Sequence, residues 1–184
     1  AAGVELLSRL AQAFALVDAD ASKLVDLCSQ ARTGVVLSSQ AWLARPETPP
    51  LVANNFRLLY GRWLAHESLF DEARQQLDGL GPGDVVDPAT LLFYQSVVHH
   101  RLLEREPGMA TLERLLAGAE QSPRRYVAVA RLMEADLEDL EPDSLDHIAR
   151  RMDDVRRRLD LGRAGSKVRQ IEEGVIESLD KLID

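Results

Sequence analysis

Apolar residues spaced three and four apart run through nearly the whole chain, and proline and glycine cut that pattern into short pieces. No alternating run of useful strand length interrupts it. The expectation is an all-α protein of short helices. None of them is stable alone, so each must be held by packing against its neighbours. "RPETPP" at 45–50, "GPGDVVDP" at 81–88, "REPG" at 105–108 and "GRAG" at 162–165 read as the breaks. Val4, Leu7, Leu10, Ala11, Phe14 and Val17 share one face of a first helix over 3–17. A second helix restarts near Ser22, with Asp20 or Ser22 as its cap. Val35 and Val36 could begin a short strand, but their context is helical.

Further along, Asp87-Pro88 reads as an N-cap followed by proline at the first helical position, opening a helix over 88–104. Pro107 and Gly108 should end it, with a short partner over 109–118. Ser122-Pro123 opens a helix to about Leu140. Pro142 restarts the chain, with Asp143 and Ser144 in the first turn of a helix to about Leu161, and a final helix covers 165–184.

With 46% hydrophobic residues, 184 residues suffice for one domain or two small ones. Aromatics are only 5%, so the core must be mainly Leu, Val and Ala. A net charge of -8 argues against a generic nucleic-acid binder. The single Cys28 has no partner for an internal disulfide and reads as a small buried apolar residue. No apolar run approaches the length of a membrane span. The chain starts "AAGVELL" and ends "SLDKLID" inside an apolar pattern. The expectation is a fragment of a longer protein, either cytoplasmic or exported after removal of a signal peptide.

The most informative stretch is "LLYGRWLAHESLFDEARQQL", Leu58 to Leu77. Leu59, Tyr60 and Leu64 mark one face before Ser68, and Phe70, Ala73 and Leu77 mark another after it. Asp71 and Glu72 put acid into a new first turn, where the helix dipole favours it. Two short helices must therefore fold back on each other here. The stretch resembles a tetratricopeptide repeat, whose pattern is W-x2-L-G-x2-Y, then A-x3-F, then Pro. Tyr60 and Gly61 occupy the Leu-Gly slots, Leu64 the Tyr slot, and Ala73 and Leu77 the Ala and Phe slots. Arg57 stands in the Trp slot, Ser68 where a turn Gly is common, and Val85 in the Pro slot. Small Gly61 and Ala73 would let the two helices approach. Tyr60, Tyr94 and Tyr126 recur in successive first helices, and Ala73, Ala110 and Ala149 in successive second helices. The resemblance is specific over 55–80, weaker over 88–118 and architectural over 123–161. It implies an N-terminal helical segment (1–45), three antiparallel hairpins stacked as a short α-solenoid (51–161) and a C-terminal amphipathic helix (164–184) that continues onward.

In that family the first helices of the repeats line a concave surface used for binding. Carried over by position, the lining would include Asn55, Arg62 and His66 in the first unit, Ser96, His99 and His100 in the second, and Arg124 and Arg131 in the third. That set holds several Arg and His and no acid. It implies a non-enzymatic interaction module that binds a protein or acidic peptide segment, since the Arg fork matches carboxylate geometry. The alternative is a structural spacer or a homo-oligomerisation module. The final helix would then be the contact, through Val168, Ile171, Val175, Ile176, Leu179, Leu182 and Ile183. Gly174 inside it costs about 1 kcal/mol relative to Ala, so packing must supply its stability.

No residue pattern calls for a metal, a cofactor or a catalytic centre. His99 and His100 are adjacent on a helix and diverge by about 100°. "HESLF" lacks the second histidine of a zinc-protease motif. "DADASKLVDLCS" fails as a calcium loop at Lys23 and Ser29. "GRAGSK" lacks phosphate-loop spacing. The acidic run at 134–146 and the basic run at 150–169 are expected to neutralise each other partly across a hairpin.

Overall fold

The computed structural model describes residues 2–31 and 37–183; Val35 and Val36 lie outside the described residues. Among those residues the chain is all-helical, without a strand. Its helices are α1 (Ala2–Ala15), α2 (Ala19–Cys28), α3 (Pro50–His66), α4 (Phe70–Leu77), α5 (Pro88–Arg101), α6 (Arg105–Ala117), α7 (Arg124–Glu138), α8 (Leu145–Asp160) and α9 (Ser166–Ile183). They pair in sequence, α1 with α2, α3 with α4, α5 with α6, and α8 with α9. The chain divides into two compact units, Ala1–Glu134 and Ala135–Asp184, with the boundary inside α7.

In the first unit, α3 and α4 fold back around Ser68, which takes a left-handed φ of 59°. The Ser68 N–H donates to the Ala65 carbonyl at 3.1 Å and the Leu69 N–H to the Leu64 carbonyl at 2.9 Å. These two bonds satisfy carbonyls that the helix end would otherwise orphan. The same turn ends α5. Leu103 has φ 58°, its N–H donates to His100, and the Glu104 N–H donates to His99 at 2.9 Å. Neither left-handed residue is glycine. Gly61 lies where α3 meets α4: a Cβ there would stand 2.6 Å from Leu77 Cδ2. Phe56, Leu58 and Leu64 of α3, Leu69 in the turn and Leu77 of α4 are fully buried, as are Leu91 of α5 and Leu112 of α6. Arg57, in the Trp slot, donates from Nη2 to the Asp78 carbonyl at 2.7 Å and so caps the end of α4. Gln95 of α5 donates to the Leu77 and Leu80 carbonyls at 2.9 and 3.0 Å, tying the next helix to the same corner.

Several boundaries differ from the sequence reading. α2 is capped by Asp18, whose Oδ1 accepts from the Ala21 N–H at 2.8 Å, not by Asp20 or Ser22. Val17 is exposed in the preceding turn, outside α1. α5 stops at Arg101, and α6 begins at Arg105 and runs through Pro107 and Gly108. Pro107 breaks nothing there because it sits in the first turn, whose N–H groups have no intrahelical acceptor. The Asp87-Pro88 start holds: the Asp87 side chain accepts from the Thr90 N–H at 3.0 Å.

In the second unit α8 and α9 form an antiparallel hairpin. The Ser144 side chain caps α8 by accepting from the His147 N–H at 3.1 Å. Asp143 accepts from Ser178 Oγ and Lys181 Nζ, both at 2.7 Å. Arg151 lies against α9, donating to the Gly174 carbonyl at 3.0 Å and the Ile171 carbonyl at 3.1 Å. A Cβ at Gly174 would collide with that guanidinium, which explains a glycine inside this helix. The acidic and basic runs meet at Arg150, paired with both Asp136 and Asp146.

Candidate functional site

The last two turns of α3, the middle of α5 and the first two turns of α7 converge on a cavity of about 560 Å³, with Cys28 from the end of α2 at its edge. α3 contributes Arg62, Trp63 and His66, α5 contributes Phe93 and Tyr94, and α7 contributes Arg125, Tyr126 and Val129. Arg62 and His66 stand one turn apart on the same face, as do Arg125 and Val129. Trp63 is fixed from behind. Its indole N–H donates to the Gln30 carbonyl at 2.8 Å, and its ring stacks on Tyr60 at 5.9 Å.

Aromatic contacts join the three helices. The His66 and Tyr94 rings lie 5.4 Å apart, and their polar atoms, Nε2 and the phenol oxygen, are 2.8 Å apart. Phe93 stacks on Tyr126 at 4.1 Å with 9° between the planes, and Tyr94 meets Tyr126 edge-on at 6.4 Å. Behind Tyr126, Thr90 Oγ1 donates to buried Asp87 Oδ2 at 2.6 Å, so the Tyr126 hydroxyl, 3.3 Å away, donates to Thr90. The cap of α5 therefore also positions a ring of the cavity.

The electrostatics are one-sided. Among the described residues no Asp or Glu lines the cavity. Arg62 and Arg125 make no ion pair among the described residues, although the Arg125 guanidinium sits 5.2 Å over the Tyr126 ring. Burial pushes the Cys28 thiol up to about 12, against a smaller opposing effect of Arg62. Burial, reinforced by Tyr126, pushes the Tyr94 phenol up to about 12 despite Arg62 and Arg125. Burial, helped by Arg62 and opposed by Glu67, holds the His66 imidazole below its ordinary range. At neutral pH thiol, phenol and imidazole are thus uncharged. The Tyr94 hydroxyl and His66 Nε2 share one hydrogen bond whose direction follows the imidazole tautomer, and the two guanidinium groups carry the site's charge.

Of the residues carried over from the repeat pattern, Arg62 and His66 line this cavity. Asn55 and Ser96 are buried and satisfied instead. Asn55 donates to Leu51 at 2.8 Å and accepts from the Val86 N–H at 2.9 Å, pinning the loop before α5. Ser96 Oγ donates back to the Leu92 carbonyl at 2.8 Å. His99 Nδ1 lies 2.7 Å from Glu104 Oε2, beside a cleft of about 20 Å³ that is too small for a ligand. His100 is half-buried, while Arg124 and Arg131 are exposed; none of the three lines the cavity. Trp63, Phe93, Tyr94, Arg125 and Tyr126 escaped the positional transfer. The recurring tyrosines at 60, 94 and 126 were the one sequence signal that pointed to two of them.

Cys28 and His66 share the cavity, but a thiol held near 12 is a poor nucleophile. Among the described residues no group of three or more His, Cys, Asp or Glu could hold a metal ion, and no helix is long and apolar enough to cross a membrane. Comparison with family models, with curated proteins and with solved structures gives no match to this chain.

Proposed function

We propose that the chain is a non-enzymatic interaction module, similar to tetratricopeptide repeats, that binds an acidic peptide segment in the cavity between α3, α5 and α7. One observation carries the reading. Among the described residues, two arginines without internal carboxylate partners border an aromatic cavity with no acid in its lining, in a chain of net charge -8. A guanidinium without a carboxylate partner inside its own fold is available to a carboxylate from outside. The repeat reading draws support from the turn shared by α3 and α5 and from the succession of paired helices. The test is fluorescence anisotropy with a labelled glutamate decapeptide. Arg62→Glu and Arg125→Glu should each weaken binding roughly tenfold to a hundredfold, the worth of a charge-assisted hydrogen bond. Unchanged affinity in both variants would sink the proposal.

A second reading, oligomerisation through the second unit, has its own observation. Leu145, Met152 and Leu159 recur every seven residues on α8, and Ile176, Leu179 and Ile183 follow three-four spacing on α9; all six are exposed. Each ridge is offset in the same sense from the buried seam of Ile148, Val155, Val168 and Val175. In an antiparallel pair that places both ridges on one side of the hairpin. Light scattering would show a dimer that Met152→Glu and Ile176→Glu abolish; a monomer at all concentrations removes this reading.

A further inference from the structure

We infer that the peptide taken by this cavity is anchored by one aromatic side chain flanked by carboxylates, and that a run of acids alone binds it more weakly. The inference rests on the reading above and adds the chemistry of the anchor. Trp63, Phe93, Tyr94, Tyr126 and Val129 make most of the lining, so a ligand must bring an apolar body to displace water from them. Charge comes from the two outer helices, Arg62 on α3 and Arg125 on α7, with the rings of α5 between them. That order matches an aromatic residue with an acid on either side of it. His66 and Tyr94 are engaged with each other, which leaves the two guanidinium groups as the ionic anchors. A volume of about 560 Å³ exceeds one ring and leaves room for the flanking residues.

A nucleotide would also bring a planar group and an anion. The lining argues against an adenine nucleotide, because it contains no Asn or Gln to pair with the adenine edge. An aromatic side chain needs none.

The experiment uses the whole chain and three fluorescein-labelled pentapeptides: Glu-Glu-Trp-Glu-Glu, pentaglutamate and Lys-Lys-Trp-Lys-Lys, with AMP as competitor. The acidic tryptophan peptide should bind about tenfold or more tighter than pentaglutamate, as central aromatic anchors do in interfaces. The lysine peptide should not bind, and AMP should not displace the tryptophan peptide. Phe93→Ala should erase the discrimination between the two acidic peptides. Val129→Asp, at an exposed lining position that does not endanger folding, should weaken both. Equal affinity of the two acidic peptides overturns the aromatic anchor and leaves the acidic-groove reading standing. Binding of neither overturns both. Binding of the lysine peptide as tight as the acidic one overturns the role of the arginines, and displacement by AMP overturns the peptide assignment.

Discussion

Gly61 and Leu77 offer a quantitative test of how the first hairpin closes. In Gly61→Ala the new methyl would stand 2.6 Å from Leu77 Cδ2 and 2.7 Å from Cγ. Leu77 is 1% exposed, so it cannot swing into solvent to make room. Overpacking of this kind costs about 1–3 kcal/mol, while Ala in place of Gly inside a helix returns about 1 kcal/mol. The net expectation is a destabilisation of about 0–2 kcal/mol. Leu77→Ala alone removes a buried side chain and should cost about 2–5 kcal/mol. In that background the Gly61→Ala methyl enters vacated space, the clash disappears, and the substitution should stabilise by about 1 kcal/mol. The coupling is therefore about 1–3 kcal/mol, with a sign that reverses the effect of one substitution. Urea denaturation of the four proteins in a double-mutant cycle measures it. Additivity within about 0.5 kcal/mol would refute the claim that this glycine exists to admit Leu77.

Other expectations follow from single observations. Ser68→Gly should stabilise the protein by about 0.5–1 kcal/mol in the same urea assay, because it relieves a left-handed backbone at a non-glycine residue. No gain there would mean that the serine side chain stabilises the turn as much as the backbone strains it. Gly174→Ala should lower stability by displacing Arg151 from the Gly174 and Ile171 carbonyls, yet raise it by about 1 kcal/mol in an Arg151→Met background, where only helix propensity remains. A stabilising Gly174→Ala in the native background would contradict the packing of that guanidinium. Burial holds both His66 and His147 below their usual 6.5, so the unfolded chain binds more protons in the window between their folded values and 6.5. Stability should accordingly be fully present above that window and fall as pH drops through it. Urea midpoints at pH 7.5 and 5.5 check this, and His66→Gln should flatten the dependence; an unchanged slope would remove the burial argument for His66.

The parts of the fold that could be read from the sequence were those where one residue type has one cause. Asp87-Pro88 announced a helix start because a capping carboxylate and a proline without an N–H both suit that position. The break at Ser68 was visible because the apolar face changes there and acids follow at once. Pro107 misled because proline breaks a helix interior but is tolerated in a first turn, and the position of that turn depends on where α5 stops. The stop is set by a left-handed Leu103, which carries no glycine signal. The cavity was half-legible for a related reason. On α3 the polar face is distinct, and Arg62 and His66 were found by position. α5 packs on α3, α4 and α6 and is apolar almost all round, so its periodicity does not say which face opens onto the cavity and which meets neighbours. The register chosen there selected Ser96 and His99, which face the packing, and missed Phe93 and Tyr94. On α7 the shift was by one residue, from Arg124 to Arg125.

The most direct test of the binding site is a residue-resolved titration. Amide shifts of the isotope-labelled chain would be followed by NMR as Glu-Glu-Trp-Glu-Glu is added. Perturbations should gather on Arg62, Trp63, His66, Phe93, Tyr94, Arg125, Tyr126 and Val129, and fade in Arg62→Glu. Perturbations confined to α8 and α9, or none at saturating peptide, would contradict the assignment of this cavity as the place where the protein meets its partner.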